Sequence, residues 1–292
     1  MKNISFKENE WFFEREIKQN PKTPKTAIKI KKKVFFEKTP FQEIKIFDTE
    51  PFGRMLVLDD LIQLTQKHEF IYHEMIVHPA MFSHPNPKKV LIIGGGDGGA
   101  LREVLRHPVE KVILDDIDRE VIEVSKKYLP FVSRGAFEDK RVKIFCEDAI
   151  KFIKKFKNFF DVIIVDATDP TPRDMAVGLF HQKFFQDTFS ALKENGIISI
   201  QSGNFTDYFF KISVRNLKRV FPFVKIFRAY IPCFPEEEHS FTLGSKKINL
   251  EKINLDSLKK RFKEINGKLK YYSPEIHLAS SVLPRYIKDK NQ

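Results

Sequence analysis

The stretch Val90-Leu91-Ile92-Ile93-Gly94-Gly95-Gly96-Asp97-Gly98-Gly99 joins a continuous apolar run to a glycine-rich loop. An apolar run without polar alternation is typical of a parallel strand that is covered on both faces. After the loop, Leu101, Val104 and Leu105 recur at helical spacing. A strand, a tight turn and a helix in this order predict the first unit of a doubly wound α/β domain, with a ligand bound at the loop.

The same alternation of strand and helix patterns continues along the chain. Further apolar runs lie at 112–114, 142–145, 162–165, 197–200, 224–227 and 241–243, and helix patterns at 119–128, 149–157, 206–220 and 253–266. Another helix carries a row of phenylalanines from Phe180 onwards, and Asn195-Gly196 predicts its end. We therefore expect a Rossmann-like doubly wound sheet domain over residues 76–292, with a C-terminal helix and tail.

Residues 1–75 have a different pattern. Ala27-Ile28-Lys29-Ile30-Lys31 and Glu43-Ile44-Lys45-Ile46-Phe47 alternate apolar and charged side chains, and turn residues separate such runs. This pattern is typical of antiparallel hairpins with one buried face. The fold class is thus α/β, with a small N-terminal antiparallel β domain.

Composition excludes several classes of protein. The 292 residues carry 51 Lys and Arg against 39 Asp and Glu, but the lysines are scattered over helix surfaces, so we expect a solvated surface and no nucleic-acid partner. The longest apolar runs are too short to span a membrane. The N-terminus lacks the apolar stretch of a signal peptide, and Cys146 and Cys233 form no metal-type pair. We expect a cytoplasmic protein without a metal site.

Carboxylates follow the predicted strands at their carboxyl ends, where open parallel sheets bind ligands. An aspartate inside the glycine loop, Asp97, would repel a pyrophosphate and would suit an ammonium or sulfonium. Asp116 follows about 20 residues later, where an acid binds ribose hydroxyls, and Asp148 could accept from an adenine amino group. For Asp118 and Asp148, each taken alone, a helix N-cap is an equal alternative. Together the acids predict a crevice for a cationic ligand.

A second pair of carboxylates, Asp166 and Asp169, follows the strand at 162–165. A close pair can divide its roles, one acting as a base and the other as an anchor for charge. An alkylammonium with a pKa near 10.4 is almost entirely protonated at neutral pH. An enzyme that alkylates such an amine therefore needs a proton acceptor beside the nitrogen.

The chain resembles the spermidine synthases, or polyamine aminopropyltransferases. The resemblance rests on Gln63-Leu64-Thr65, Glu69-Phe70-Ile71-Tyr72-His73-Glu74, Gly94 to Gly99, Asp166 to Pro170 and Tyr230-Ile231-Pro232. It implies a small β domain and an α/β domain of class I methyltransferase type. It also implies transfer of an aminopropyl group from decarboxylated S-adenosylmethionine to a polyamine, release of methylthioadenosine, no cofactor, and a homodimer or homotetramer.

The resemblance also implies roles for individual residues. Asp166 and Tyr72 would be catalytic, with Asp166 deprotonating the attacking amine. The donor would be bound by Gln42, Gln63, His73, Gly94, Gly96, Asp97, Asp116, Asp148 and Ala149, and the acceptor by Tyr72, Asp169, Gln201, Tyr230, Glu236 and Glu237. Residues 171–179 match the loop that closes over the ligands in this family.

One segment departs from the family. Members usually read Tyr-Pro-Ser-Gly, a variable residue and Trp, whereas this chain reads Cys233-Phe234-Pro235-Glu236-Glu237-Glu238-His239-Ser240. Phe234 thus replaces a tyrosine that assists at the acceptor amine, and His239 replaces a tryptophan of the acceptor channel. Putrescine is the expected acceptor, but agmatine, cadaverine, spermidine and a branched polyamine stay open.

Three other functions also stay open. A methyltransferase would share the fold, but the N-terminal β domain and the Tyr72-His73 pair are not explained by it. Transfer of a 3-amino-3-carboxypropyl group from intact S-adenosylmethionine would need a basic residue for the carboxylate. A nucleic-acid-binding protein would use the net charge of +12.

Overall fold

The computed structural model describes residues 10–14, 26–169, 175–234 and 237–288. An antiparallel sheet at the N-terminus follows the order of the chain, with strands β1 (Trp11–Phe13), β2 (Ala27–Lys38), β3 (Glu43–Thr49), β4 (Gly53–Leu58) and β5 (Leu61–Thr65). Its inner face is apolar because alternate residues such as Ile44 and Ile46 point inward and are buried. The β4–β5 connection is the two-residue turn Asp59-Asp60, both with positive φ, which matches the twist of a hairpin.

A second sheet of seven strands follows. It consists of β6 (Lys89–Gly94), β7 (Lys111–Asp115), β8 (Val142–Phe145), β9 (Phe160–Asp166), β10 (Leu192–Asn204), β11 (Phe223–Ala229) and β12 (His239–Ser245). The spatial order is β11-β12-β10-β9-β6-β7-β8. Strand β12 runs antiparallel to both β11 and β10, and the pairs from β10 to β8 are parallel. The predicted doubly wound domain is confirmed.

Helices cover both faces of this sheet. The helices of the described residues are α1 (Glu69–Ser83), α2 (Gly99–Leu105), α3 (Arg119–Tyr128), α4 (Pro130–Ser133), α5 (Ala149–Phe152), α6 (Gln182–Ala191), α7 (Tyr208–Lys218), α8 (Leu255–Phe262), α9 (Pro274–Ser280) and α10 (Arg285–Lys288). On one face, Val90 and Ile92 of β6 belong to the same buried cluster as Met75 of α1. On the other face, Leu91 and Ile93 share a cluster with the phenylalanines of α6.

Helix α1 connects the two sheets and is buried along almost its whole length. The boundary that we placed after residue 75 falls inside this helix, since the N-terminal sheet ends at Thr65 and α1 begins at Glu69. Within the described part of the chain, no helix has both the length and the apolar character that are needed to cross a bilayer.

Three predicted element ends were wrong. Helix α6 stops at Ala191 rather than at Asn195-Gly196, because Leu192 already pairs with Phe160 of β9. The strand is irregular between Leu192 and Ile197, so tertiary pairing has overridden a local stop signal there. The helix predicted over 149–157 is α5 followed by a short 3-10 turn. The helix predicted over 253–266 is the shorter α8, and α9 and α10 lie in the predicted tail.

Candidate active site

The carboxyl ends of the parallel strands meet at one edge of the large sheet. In register, Gly94 at the end of β6 lies beside Asp166 at the end of β9, and Ile93 lies beside Asp115 at the end of β7. The predicted crevice is therefore built by residues that directly follow neighbouring strands.

The glycine loop can approach the neighbouring strand and helix only because it lacks side chains. Gly94 has a φ of +75°, and a Cβ there would lie 2.2 Å from the carbonyl oxygen of Asp166. A Cβ on Gly99 would lie 2.2 Å from the ring of His73. Glycine at these two positions lets β6 meet β9 and lets α2 begin directly beneath the imidazole.

Four side chains from three elements form the centre of the site. The Tyr72 hydroxyl donates to Oδ1 of Asp166 at 2.6 Å. Nε2 of His73 lies 3.3 Å from Oδ1 of Asp97, which also accepts from the backbone N–H of Gly99 at 2.6 Å. One ligand atom each of His73, Asp97 and Asp166 lie within 4.8 Å of one another.

The two carboxylates at this centre have different proton affinities. Burial would lower the pKa of His73, but Asp97 and Glu69 outweigh it and raise the pKa to about 10. Burial would raise the pKa of Asp97, but His73 and the Gly99 N–H hold it below its ordinary value. Burial, followed by the charge of Asp97, raises the pKa of Asp166 to about 7. At neutral pH, Asp97 is thus a fixed anion and Asp166 can gain or lose a proton.

The same three side chains have the spacing of a metal site. A histidine coordinates a metal only as the neutral imidazole. His73 has a carboxylate at each ring nitrogen, Glu69 at 2.7 Å from Nδ1 and Asp97 at 3.3 Å from Nε2, so the ring is an imidazolium at neutral pH. The donor set therefore fits an ammonium ligand better than a metal ion.

The predicted donor side of the crevice is organised by Asp116 and Asp118. Asp116 accepts from the backbone N–H groups of Gly96 and Asp118, both at 2.9 Å, and burial raises its pKa to about 6. The Gln42 amide, from the loop between β2 and β3, donates to Oδ2 of Asp118 at 2.9 Å. Gln42 thus contacts Asp118 on the predicted donor side of the crevice. In addition, Asp118 caps α3 by accepting from the Glu120 N–H.

Asp148 and Ala149 follow β8 at the same edge of the sheet. Oδ1 of Asp148 accepts from the N–H of Ile150 at 3.0 Å, so this residue caps α5, whose first residue is Ala149. Gln63 lies on β5, where its amide donates to the carbonyl of Leu61 at 3.1 Å. These contacts are local, and they do not join Asp148 or Gln63 to the central cluster.

The predicted acceptor residues divide into two groups. The Gln201 amide donates to Oδ1 of Asp169 at 3.1 Å and to the carbonyl of Ala167 at 2.9 Å, so it fixes the segment that follows β9. Tyr230 is 51% exposed, and Glu237 accepts from the N–H of Thr206, so both lie apart from the central hydrogen bonds. Glu236 and the first residues of the predicted closing loop, 171–174, lie outside the described residues.

The two residues that depart from the family pattern surround Tyr72. The ring of His239 lies 5.5 Å from that of Tyr72, and the ring of Phe234 lies 6.5 Å from it. Burial lowers the pKa of His239 to about 3, so its imidazole is neutral. Within the described residues, Nε2 of His239 is buried without a hydrogen-bond partner.

Comparison with known proteins gives family matches over most of the chain. The family profile of the spermine/spermidine synthase domain matches residues 69–257, and that of the spermidine synthase tetramerisation domain matches residues 10–66. The chain belongs to the spermine/spermidine synthase family. Its membership in this family makes the protein a transferase enzyme.

Relatives in this family align over nearly the full length of the chain. The polyamine aminopropyltransferases of Thermoanaerobacter sp. (strain X514) and Caldicellulosiruptor bescii are each 45% identical to it, and each alignment covers 96% of this chain and 97% of the relative. The spermidine synthase of Thermotoga maritima superposes with a TM-score of 0.88 at 38% identity, covering 100% of this chain and 97% of that one. A spermidine synthase solved with the transition-state analogue AdoDATO gives 0.90 at 38% identity, covering 100% and 98%.

One part of the site in this family member did not emerge from sequence reasoning. Glu69 and Arg102 form a buried pair behind His73, with Nη2 of Arg102 2.9 Å from Oε2 of Glu69. The available signal was the spacing of Glu69 and His73, which are four residues apart on a predicted helix and so share a face. No motif or periodicity in the sequence marks Arg102 as the partner of Glu69.

Proposed function

We propose that this spermine/spermidine synthase family member transfers the aminopropyl group of decarboxylated S-adenosylmethionine to a primary amine. The single observation that carries the proposal is the pair Asp97 and Asp166, which lie together but differ in proton affinity. An ionised carboxylate suits the donor's ammonium, and a carboxylate with a pKa near neutrality suits a base.

The reaction balances on these groups. The nitrogen lone pair of the acceptor forms a bond to the aminopropyl carbon next to sulfur. The bond from that carbon to sulfur breaks, and its electrons convert the sulfonium into the neutral thioether of methylthioadenosine. The proton that the nitrogen must lose goes to Asp166, and the Tyr72 hydroxyl, 2.6 Å from its Oδ1, holds that carboxylate in place.

In this proposal the ammonium of the donor binds to the carboxylate of Asp97. Intact S-adenosylmethionine would bring a carboxylate towards this anion, so the site selects against it by repulsion. Asp116 is the proposed partner of the ribose hydroxyls and Asp148 with Ala149 that of adenine, with the loop glycines Gly94 and Gly96 close to the donor. For Gln42, the contact with Asp118 supports a role next to the ribose site. His73 and Gln63 remain the proposed assistants of Asp97.

Two contacts in the structure bear on the identity of the acceptor. His239 and Phe234 surround Tyr72, and Gln201 holds Asp169. We propose that putrescine is the main acceptor and that Asp169 binds it, with Tyr72 and Gln201 alongside. Tyr230, Glu236 and Glu237 remain predictions for the outer part of the acceptor site.

The reaction as proposed needs no cofactor, because the sulfonium sulfur departs directly as the neutral thioether of methylthioadenosine. We also propose that the N-terminal sheet forms subunit contacts, since residues 10–66 match a tetramerisation domain. A dimer and a tetramer are both compatible with that match. The cytoplasm remains a prediction from the sequence.

The test is product analysis by mass spectrometry. The protein is incubated with decarboxylated S-adenosylmethionine and an equimolar mixture of putrescine, cadaverine, agmatine and spermidine. We expect methylthioadenosine and one dominant aminopropylated amine. Folded protein that binds methylthioadenosine but forms no such product would contradict the proposal. Methylated products from intact S-adenosylmethionine would favour the methyltransferase alternative.

A further inference from the structure

A chain of buried charged groups runs from the active site into the interior. Oε2 of Glu69 lies 2.7 Å from Nδ1 of His73, and the guanidinium of Arg102 contacts both oxygens of Glu69, at 2.9 and 3.1 Å. The carboxylate of Glu69 is 3% exposed and Arg102 is 7% exposed. A bidentate ion pair as deeply buried as that of Arg102 and Glu69 fixes both the charge and the orientation of the carboxylate.

We propose that Glu69 is a positioning residue, which keeps His73 protonated and directed at Asp97 so that Asp166, rather than Asp97, takes the proton of the attacking amine. This inference rests on the proposed function. It adds a residue outside the set that the sequence assigned to the donor and acceptor sites.

The contact with Glu69 sets the orientation of the His73 ring. An imidazole has two nitrogens, and a hydrogen bond at one of them determines what the other presents. With Nδ1 held by Glu69, Nε2 faces Asp97 at 3.3 Å. Glu69 and His73 are four residues apart on α1, so the helix itself sets this contact.

The charges around His73 determine its protonation. Around His73 stand Glu69 and Tyr72 from α1, Asp97 from the glycine loop and Asp166 from β9, and Arg102 of α2 stands behind Glu69. Two carboxylates at the ring nitrogens outweigh the cost of burial and hold the proton on His73. Burial would raise the pKa of Glu69, but His73 and then Arg102 hold it below its ordinary value.

The protonation of His73 affects the two carboxylates Asp97 and Asp166 differently. Around Asp166 stand Tyr72, Asp97, His73 and Asp116. His73 lowers the pKa of Asp97 and of Asp166, but it contacts only Asp97 directly. The contact makes Asp97 the permanent anion of the pair and leaves Asp166 to titrate. If His73 became neutral, two neighbouring carboxylates would share a proton, and the pair would release it only at higher pH.

The decisive variant is Glu69→Gln, because its side-chain oxygen can still accept from Nδ1 while the charge is lost. Glu103→Gln is the matched control: Glu103 is as deeply buried and contacts Nε of Arg102 at 2.6 Å, but its other partners are His78 and Arg106, not His73. Both variants thus remove one carboxylate from the same arginine.

The measurement is the pH dependence of kcat/KM with decarboxylated S-adenosylmethionine and putrescine. We expect the acid limb of Glu69→Gln to move to higher pH by roughly one unit, which is the effect of losing a close opposite charge. The acid limb of the Glu103→Gln profile should lie at the same pH as that of the unaltered enzyme. Equal shifts in both variants, or no shift in either, would overturn the inference.

A second measurement separates this inference from the proposed function. NMR of histidine-labelled protein reports the protonation of His73, which is assigned as the signal lost in His73→Gln. We expect it to remain an imidazolium up to pH 8 in the unaltered protein and to lose its proton near or below pH 7 in Glu69→Gln. Titration near pH 6.5 in the unaltered protein would refute the role of Glu69 even if Glu69→Gln did not fold. Lack of turnover with every amine would refute the proposed function and leave this NMR result as the test.

Discussion

Replacing Asp97 with asparagine tests the electrostatic basis of donor selection. The substitution keeps the shape of the side chain and removes the one charge that should face the donor's ammonium. Oδ1 could still accept from the N–H of Gly99, which is 2.6 Å away, so the glycine loop should keep its conformation. The proposed reaction then loses an anchor and keeps its base, Asp166.

The structure sets the size of the effect. The side chain of Asp97 is only 15% exposed, so its charge is poorly screened by solvent. Loss of one partner of a buried, hydrogen-bonded charge pair costs about 2–5 kcal/mol. This corresponds to a fall of about 30- to 4000-fold in kcat/KM for decarboxylated S-adenosylmethionine. Because the charge of Asp97 also raises the pKa of Asp166, the acid limb of the pH profile should move to lower pH.

The assay compares two ligands that share the methylthioadenosyl part, of which only the donor carries the aminopropyl ammonium and the sulfonium charge. Steady-state kinetics gives kcat/KM for the donor, and calorimetry gives Kd for methylthioadenosine, which lacks the aminopropyl group. We expect kcat/KM for the donor to fall steeply. We expect Kd for methylthioadenosine to stay within about twofold, since groups that are not in contact usually act independently to within about 0.5 kcal/mol. Discrimination against intact S-adenosylmethionine should also weaken, because the repelling charge is gone.

Two results would refute this reasoning. A fall of less than about fivefold in donor kcat/KM would mean that the ammonium lies elsewhere, because it is below any expected loss of a buried ion pair. Equal weakening of methylthioadenosine would mean that the substitution had disturbed the loop. Asp148→Asn provides the comparison, since it should weaken methylthioadenosine and donor alike if Asp148 holds adenine.

Three further substitutions test other parts of the structure. Tyr72→Phe should lower kcat by about 10- to 150-fold, the cost of losing a hydrogen bond to a charged group. It should also move the acid limb to higher pH, because that hydrogen bond lowers the pKa of Asp166. His239→Phe should change the product ratios in a competition of putrescine, cadaverine, agmatine and spermidine by about tenfold, because a buried polar atom beside Tyr72 is removed. Glu74→Gln should lower the free energy of unfolding in urea by about 3 kcal/mol, because Glu74 accepts from the backbone N–H groups of residues 270, 271 and 272 at 2.7–2.8 Å.

Each of these has its own control. For Tyr72→Phe, donor affinity should be retained, and an unchanged kcat would exclude Tyr72 from the chemistry. For His239→Phe, an unaltered product spectrum would place the ring outside the acceptor site. For Glu74→Gln, the control is Glu123→Gln on the exposed surface, whose ion pair with Lys126 should contribute little. Equal stability of the two variants would contradict the role given to Glu74.

Much of the architecture follows from local patterns in the sequence. Continuous apolar runs marked the inner strands of the large sheet, and α3 begins and ends at the predicted residues, 119 and 128. Those patterns are strong because the strands are covered on both faces. The end of α6 was not predictable in the same way. Asn195-Gly196 is a sound local stop signal, but pairing of Leu192 with Phe160 starts the next strand earlier.

In the active site as well, local sequence patterns predict strand ends but not the tertiary partners of side chains. The position of Asp97 and Asp166 after neighbouring strands was enough to predict that they meet, because strand ends share an edge. The partner of Gln42 was not predictable, since it depends on how the β2–β3 loop lies against α3. Likewise, Arg102 reaches Glu69 across 33 positions of sequence, a distance over which periodicity carries no information.

The division of roles between two chemically identical carboxylates is a property of their surroundings. Asp97 accepts a hydrogen bond from the backbone N–H of Gly99 and forms an ion pair with the His73 imidazolium, and both interactions favour its anion. Asp166 accepts a hydrogen bond from the Tyr72 hydroxyl at Oδ1, and within the described residues it accepts none at Oδ2. The neighbouring charge of Asp97 disfavours ionisation of Asp166. The anion that binds the donor therefore also makes the base more basic. A donor ammonium that settled against Asp97 would neutralise that influence and lower the pKa of Asp166, so we infer that the proton acceptor is ionised most readily when the donor is in place.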